Sequence, residues 1–543
     1  MTLSVGTNAS PATLTKLRTG ENQCPQSGMC VTCLDGCPGT CEIGKSAVRS
    51  TELIYPKPYG KTTSASQKKY PVDYSHFNIL GTPVGAIGVD ADPDKAIFPA
   101  VNLETALGAN GNLKLKFPMV VAAMGSTKVA ADNWEHLAAG AAISGIGIVV
   151  GENVCAMDPD SEIRDGRVIH SPAMEKRIHS FQDWYNGYGF IAVQENVEDS
   201  RIGVLEYVME KFGVEAVELK WGQGAKDIGG EVKLDTLERA LQLKSRGYIV
   251  LPDPEDPKVQ EAFKEGAFKE FERHSRIGMV EWESFNARVE QMRAKGAKYV
   301  FLKTGAYGPA DLARAIRFAS DARLDLLTVD GAGGGTGMSP WRMMNEWGIP
   351  TVYLQSMITS FCDRLAAKGA YIPPIAIAGG LTMEDHMFKG LAMSAPYVKA
   401  IGMARSPLAS AMVGKNVAQG IKDGKVLPEY KNYGDKLEQV FVCAREVREM
   451  LVKDYANLPV GAIGVYSYIQ RLTQGLRQFM CGARKFSLEY ISRDDLVALT
   501  KEAAEISGIP YVMGAQAAEV DRLLGHTAKV TGFVGKTEQR SAR

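Results

Sequence analysis

The sequence predicts an α/β fold: a (β/α)8 TIM barrel with a Cys-rich N-terminal segment and a mostly helical C-terminal extension. Three observations predict it. Eight short apolar runs, each bounded by Gly or polar residues, fall between residues 118 and 405. Their near-continuous Val, Ile, Leu and Ala content is that of parallel strands covered on both faces. Helical patterns separate the runs, and eight such units favour a closed barrel over an open sheet.

The runs are PMVVAAMG (118–125), GIGIVVGEN (145–153), GFIAVQ (189–194), AVELKWG (216–222), KYVFLKTG (298–305), LDLLTVDGAG (324–333), PPIAIAGG (373–380) and VKAIGMAR (398–405). Helical stretches between them include Ala310–Ser320 and Ser360–Lys368. A ninth apolar run, YIVLPDP (248–254), is assigned to a long insert between the fourth and fifth strands. Four regions follow: a Cys-rich, cluster-binding head (1–55), an irregular linker packing on the barrel (56–110), the barrel (111–420) and the helical extension (421–543). In the extension, Leu437–Lys453 and Arg493–Ser507 read as helices with one apolar face, suited to packing on the barrel or to a homo-oligomer interface.

The 543 residues are 45% hydrophobic and 23% charged, ordinary for a globular chain with a large core. Lys plus Arg and Asp plus Glu both number 62, which argues against nucleic acid or an anionic membrane as the main partner. The most apolar run, Leu137 to Val150, falls short of the roughly 20 residues a membrane span needs. The opening MTLSVGTNAS lacks a basic stretch followed by an apolar one, so the expectation is a cytoplasmic protein.

Barrel enzymes place their chemistry where the strands end. The groups there are Met124, Gly125 and Ser126; Glu152 and Asn153; Gln194 and Asn196; Lys220, Gln223 and Lys226; Lys303; Asp330; Gly379 and Gly380; Gly402 and Arg405. They are rich in amide, lysine and glycine, and include no histidine. A planar, anionic cofactor fits them better than a hydrolase's Ser/His set does. In VDGAGGGTGMSP (329–340), glycines let backbone N–H groups approach a flat or anionic ligand. A dinucleotide fingerprint would open directly into a helix, but Ser339-Pro340-Trp341 follows, so that reading fails; a plain loop is the bland alternative. In ELKWGQGAKDIGGE (218–231), Lys220, Gln223 and Lys226 suit a dicarboxylate or an electron-rich ring, against a solvated basic turn. At the ends of strands seven and eight, Gly379, Gly380 and Gly402 would admit a phosphate, with Ala404 and Arg405 closing on it, against simple tight turns. Lys303 sits in an apolar run and needs a partner: the anionic edge of a reduced flavin, or an ion pair with Asp330.

ELKWGQGAK, VDGAGGGTG and AIAGGL resemble, in order and spacing, the signatures of the FMN-binding domain of the glutamate synthase family, over roughly residues 80–420. GVEAVELKWGQGAK resembles that family's stand-alone, archaeal-type branch. The resemblance implies an FMN-dependent oxidoreductase that reduces an imino acid formed from a 2-oxo acid, 2-oxoglutarate in the first instance, and ammonia. It implies that Gln223 and Lys226 hold the oxo-acid carboxylates, with Lys220 and Lys303 as the other catalytic candidates and Lys303 facing the flavin. Gly333 to Gly335 would line the cofactor with Gly331 and Asp330, and Gly380 and Gly402 would hold its phosphate. Ala122, Ala123, Met124, Gln194 and Met403 complete the expected cofactor set.

The departures from that family are specific. There is no N-terminal glutaminase domain, so ammonia is expected free or from a separate glutaminase subunit. The segment SPLASAMVGKNV (406–417) has none of the family's cluster cysteines after strand eight, and MGSTKVAADN lacks the acidic, serine-rich pattern expected for 2-oxoglutarate. Instead, five of the nine cysteines crowd the head: Cys24, Cys30, Cys33, Cys37 and Cys41, with Pro38 and Gly39 between the last two. Short spacings with Gly and Pro can gather four thiolates, so an iron–sulfur cluster, 4Fe-4S, is expected, with structural zinc or no metal as alternatives. A ferredoxin or a redox partner subunit would feed such a cluster. An N-methylglutamate synthase-like enzyme and an FMN/Fe–S electron-transfer subunit are the rival readings. An IMP-dehydrogenase-like barrel ranks lower, because no cysteine stands near VDGAGGGTG. Cys155, Cys362, Cys443 and Cys481 read as buried small hydrophobes.

Overall fold

The computed structural model describes residues 42–49, 70–224, 231–268, 270–334 and 347–525. Eight parallel strands form a closed barrel: β1 (Met119–Met124), β2 (Gly147–Val150), β3 (Phe190–Glu195), β4 (Ala216–Lys220), β5 (Tyr299–Thr304), β6 (Leu326–Asp330), β7 (Ile375–Ala378) and β8 (Val398–Met403). Consecutive strands pair, and the ring closes where Gly402 of β8 lies opposite Val120 of β1. All eight runs expected to be strands are strands of this barrel.

Alternation along each strand sorts the residues into two cores. Val120, Val149, Phe190, Ala192, Phe301, Leu326, Ala376 and Ala400 fill the interior, where Phe190 and Phe301 meet edge to face at 5.2 Å. Their neighbours Val121, Ile148, Ile191, Val217, Leu302, Leu327, Ile377 and Ile401 join the outer core under the helices. Those helices are α1 (Lys128–Ser144), α2 (Pro172–Gln182), α3 (Val204–Phe212), α4 (Trp282–Ala294), α5 (Pro309–Asp321), α6 (Thr351–Ala366), α7 (Glu384–Met393) and α8 (Arg405–Lys422). Their ends carry local signals: Ser171 caps α2 with Pro172 in its first turn, and left-handed glycines, Gly145 and Gly213, stop α1 and α3.

A hairpin, Thr105–Leu107 with Leu113–Leu115, closes one end of the barrel. Its Leu107, Leu113 and Leu115 join the interior core. Gly108 N–H donates to the Asp325 carbonyl just before β6 (3.0 Å), and Gly189 N–H, just before β3, donates to the Lys114 carbonyl (2.8 Å). The plug therefore covers the ends where strands begin and leaves the mouth at the ends where they finish. It straddles the expected boundary at residue 110, because a polar turn hides three leucines that point one way.

The insert between β4 and β5 carries the run at 248–254, as expected. Ile249–Leu251 forms a three-stranded antiparallel sheet with Phe271–His274 and Glu231–Leu234. Tyr248 ties this sheet to the mouth, its hydroxyl donating to Asn153 Oδ1 just past β2 (2.7 Å). The C-terminal region centres on α9 (Gly461–Gly482), which packs against α1 and α8, with the short helix Glu42–Arg49 beside α8 and α9.

Two helix expectations there fail. Leu437–Lys453 is broken into Leu437–Val440 and Ala444–Leu451 by an extended Phe441, whose ring is fully buried. Within Arg493–Ser507, Leu496–Ala498 is a buried strand paired antiparallel with Phe77–Ile79, and helix starts only at Lys501. In both places tertiary burial overrides local helical preference. No described helix is long and apolar enough to cross a membrane.

Candidate active site

Extending the inward alternation one layer above the interior core gives the lining of the mouth. Ala122 on β1, Ala378 on β7 and Gly402 on β8 form a side of small residues. Gln194 on β3, Glu218 on β4 and Lys303 on β5 form a polar side, with Lys220 and Asp330 at the strand tips above them. The small residues of β1, β7 and β8 thus stand across the barrel from a wall of charge and amide on β3 to β5.

The polar side is a network. Lys220 Nζ lies 2.5 Å from Glu152 Oε1 and 3.3 Å from Gln223 Oε1. Lys303 Nζ lies 3.5 Å from Asp330 Oδ2, and its residue is 5% exposed. Gln194 Nε2 donates to Glu218 Oε1 at 2.5 Å. Burial pushes the Glu152 carboxyl up, but the Lys220 ammonium beside it prevails and holds it at about 2. Burial, with a smaller push from the Glu152 charge, raises Glu218 against the pull of Lys303. Burial disfavours the Lys303 charge, yet Asp330, Glu218 and Glu152 together keep its pKa above the ordinary lysine value. Lys303 is therefore cationic at neutral pH.

The glycine-rich ends interlock. Gly331 N–H donates to the Ala378 carbonyl (2.8 Å), and Thr351 Oγ1 donates to the Gly379 carbonyl (2.7 Å). Gly379 has φ 119°, and a Cβ there would fall 2.5 Å from the Gly331 carbonyl oxygen and from Thr351 Oγ1. No other residue type fits this turn. At Gly402 a Cβ would meet the Ala378 methyl at 2.9 Å, so glycine lets β7 and β8 close up at the mouth. Ala404 precedes the first turn of α8 without a side-chain cap, and the N–H groups of that turn lie directly after β8.

The described site residues thus collect at one mouth: Ala122, Ala123, Met124, Gln194, Lys220, Gln223, Lys303, Asp330, Gly331, Gly333, Gly334, Gly379, Gly380, Gly402, Ala404 and Arg405. Met403 is at the same level, but its side chain belongs to the outer core, with Sδ 3.7 Å from Ser406 Oγ. Lys226, Gly335 and all five head cysteines, Cys24, Cys30, Cys33, Cys37 and Cys41, lie outside the described residues. Among the described residues, no group of His, Cys, Asp and Glu could hold a metal ion. The other four cysteines form no disulfide among the described residues, and three of them are buried. His136 and His386 are structural: their Nδ1 atoms accept from Gly461 N–H (3.2 Å) and Thr382 N–H (2.9 Å).

Two residues of the network escaped sequence reasoning. Glu218 was legible, since it shares a strand face with Lys220 two positions on. Arg177 was not: it stands mid-helix in α2, stacks on Trp134 and donates to the Met124 carbonyl (3.0 Å), fixing the end of β1.

The lining fits FMN in three respects. The small side leaves room for a flat ring, Lys303 supplies a cation for an electron-accepting ring, and buried Gln194 Oε1 has no donor among the described residues.

No curated protein matches the chain. Solved structures that resemble it are the recombinant flavin-binding domain of baker's yeast flavocytochrome b2 (12% identity, 85% of this chain and 84% of that one, TM-score 0.44), the monotopic membrane protein (S)-mandelate dehydrogenase (11%, 84% and 97%, 0.44), and a mandelate oxidase with 2-hydroxy-phenylacetamide (14%, 82% and 91%, 0.40). Likenesses this remote carry no argument. A family model described as the conserved region in glutamate synthase matches residues 274–412, the stretch that holds β5 to β8, Lys303 and the glycine loops. Within residues 274–412, then, this chain is similar to the conserved region in glutamate synthase, and that stretch forms the second half of a closed (β/α)8 barrel.

Proposed function

We propose that this chain is an FMN-dependent oxidoreductase that reduces an imino acid formed from a 2-oxo acid and ammonia, with 2-oxoglutarate as the first candidate oxo acid. One observation carries the reading: a mouth divided between small residues and a Lys-rich polar wall, within a barrel that holds the glutamate synthase region. FMN, when bound, supplies the hydride chemistry.

The chain's own groups do the rest. Lys303 would hold a fixed cation toward the bound flavin, in a buried setting where that charge counts most. Lys220 and Gln223 offer a cation and an amide to a substrate carboxylate, with Lys226 as a further candidate. Lys220 is held by Glu152 meanwhile, so an incoming carboxylate meets a cation already positioned. The Gly379–Gly380 turn, Gly402 and the first turn of α8 are the phosphate end of the site. The insert is tied to the β2 side of the mouth by the Tyr248 hydroxyl on Asn153.

The head cysteines would carry an iron–sulfur cluster, 4Fe-4S, that receives electrons from a ferredoxin or partner subunit, with zinc as the rival metal. Their spacing supports this reading. A separate glutaminase would supply ammonia. Anaerobic assay of the full chain with 2-oxoglutarate, ammonia and a reduced dye tests the activity. Glutamate formation that requires both substrates is expected; dye oxidation without amination would instead fit an electron-transfer subunit.

A further inference from the structure

The region C-terminal to the barrel does more than cover it. Tyr468, in the middle of α9, is fully buried. Its hydroxyl donates to the Thr382 carbonyl, in the loop that leaves β7. The same oxygen lies 3.7 Å from Met403 Sδ, the last residue of β8. One atom of α9 therefore touches both segments that bracket the phosphate end of the mouth.

The helix is fixed in place around that atom. One turn further on, Arg471 is 1% exposed, pairs with Glu384 in the first turn of α7 and approaches Met383 Sδ at 3.3 Å. Breaking a buried pair of this kind leaves an uncompensated charge, so the pair holds α9 and the β7–α7 loop as one unit. Toward its start, α9 crosses α8 on glycines. A Cβ on Gly464 would fall 2.5 Å from the Ser410 carbonyl oxygen, and one on Gly414 would fall 2.8 Å from the Gly461 carbonyl oxygen. There is no slack for α9 to slide.

We propose that Tyr468 is a positioning residue for the cofactor phosphate: α9 sets the spacing between the β7–α7 loop and the end of β8 through this one hydroxyl. The inference rests on the FMN reading above and deepens it. It assigns a role in the site to a region that the glutamate synthase match at 274–412 does not include.

The test uses full-length apoprotein and two ligands that differ only by the phosphate, FMN and riboflavin. Wild type is expected to bind FMN more tightly than riboflavin. Tyr468→Phe keeps the ring and loses the hydroxyl. It is expected to weaken FMN binding about tenfold, the factor for roughly 1.4 kcal/mol, with riboflavin binding unchanged. Tyr466→Phe is the matched control: on the same helix, it loses a hydrogen bond of 2.7 Å to Glu446 on the side away from the mouth. The control is expected to lower the melting temperature without altering the FMN-to-riboflavin ratio. If Tyr468→Phe leaves that ratio at the wild-type value, the positioning role is wrong while the FMN reading stands. If wild type itself does not prefer FMN, the cofactor reading falls and the inference with it.

Discussion

Lys303 shows how much one side chain asks of its surroundings. A cation 5% exposed on a barrel strand costs free energy unless something answers it. Asp330 at 3.5 Å answers it only in part, and the carboxylates of Glu218 and Glu152 add to the field. The barrel thus keeps a charged lysine pointed at its mouth. Lys303→Met is nearly isosteric and removes the charge. It is expected to lower turnover about 100-fold, in line with the loss of one preorganised electrostatic group, while FMN remains bound. Steady-state rates on the flavin-replete variant check this, and an unchanged rate would remove Lys303 from the chemistry. Glycine acts at the same scale: Gly379 is required by its φ of 119° and by the Gly331 carbonyl oxygen that a Cβ would meet at 2.5 Å.

At the scale of elements, the mouth depends on staples between strand ends. Asp199 is one: its carboxylate accepts from Asn153 N–H after β2 (2.9 Å) and from Asn196 N–H after β3 (3.4 Å). Burial pushes this carboxyl from 3.8 up to about 8. The folded state therefore holds the proton more tightly than the unfolded one, and stability falls as pH rises from 3.8 to about 8. Asp199→Asn resembles the protonated form and removes that slope. Across the interval the stability of wild type should fall relative to that of the variant, by at most about 1.4 kcal/mol per pH unit. A difference between the two that does not change with pH would show that Asp199 is ionised in the fold.

Sequence reading served unevenly at this scale. The eight strands were legible because parallel strands buried on both faces leave continuous apolar runs. The 105–115 hairpin was not, since three-residue strands carry too little pattern. The strand Leu496–Ala498 was not legible either: DDLVALTKEAAE has helical character, and only its partner Phe77–Ile79, far away in sequence, makes it extended. Site residues at strand ends could be found by rule. Arg177 and Tyr468, which reach the mouth from helices, could not, because nothing local marks a helix residue that serves a distant loop.

Across the whole molecule, one layer shuts the far end of the barrel and two brace its mouth. The hairpin plug seals the strand starts, the insert covers the β2 side of the mouth, and α9 braces the β7 and β8 ends. Each layer comes from a different part of the chain: the plug fixes the strand starts, and the insert and α9 converge on the strand ends around the mouth. That convergence is what a site for a rigid cofactor requires, since its groups must be held in place before the ligand arrives. The central claim is that this opening holds FMN. The most direct measurement is the flavin released when purified full-length protein is denatured, identified by chromatography and counted against protein. The account predicts about one FMN per chain, as FMN and not riboflavin or FAD. A colourless protein that takes up no FMN on reconstitution would contradict it.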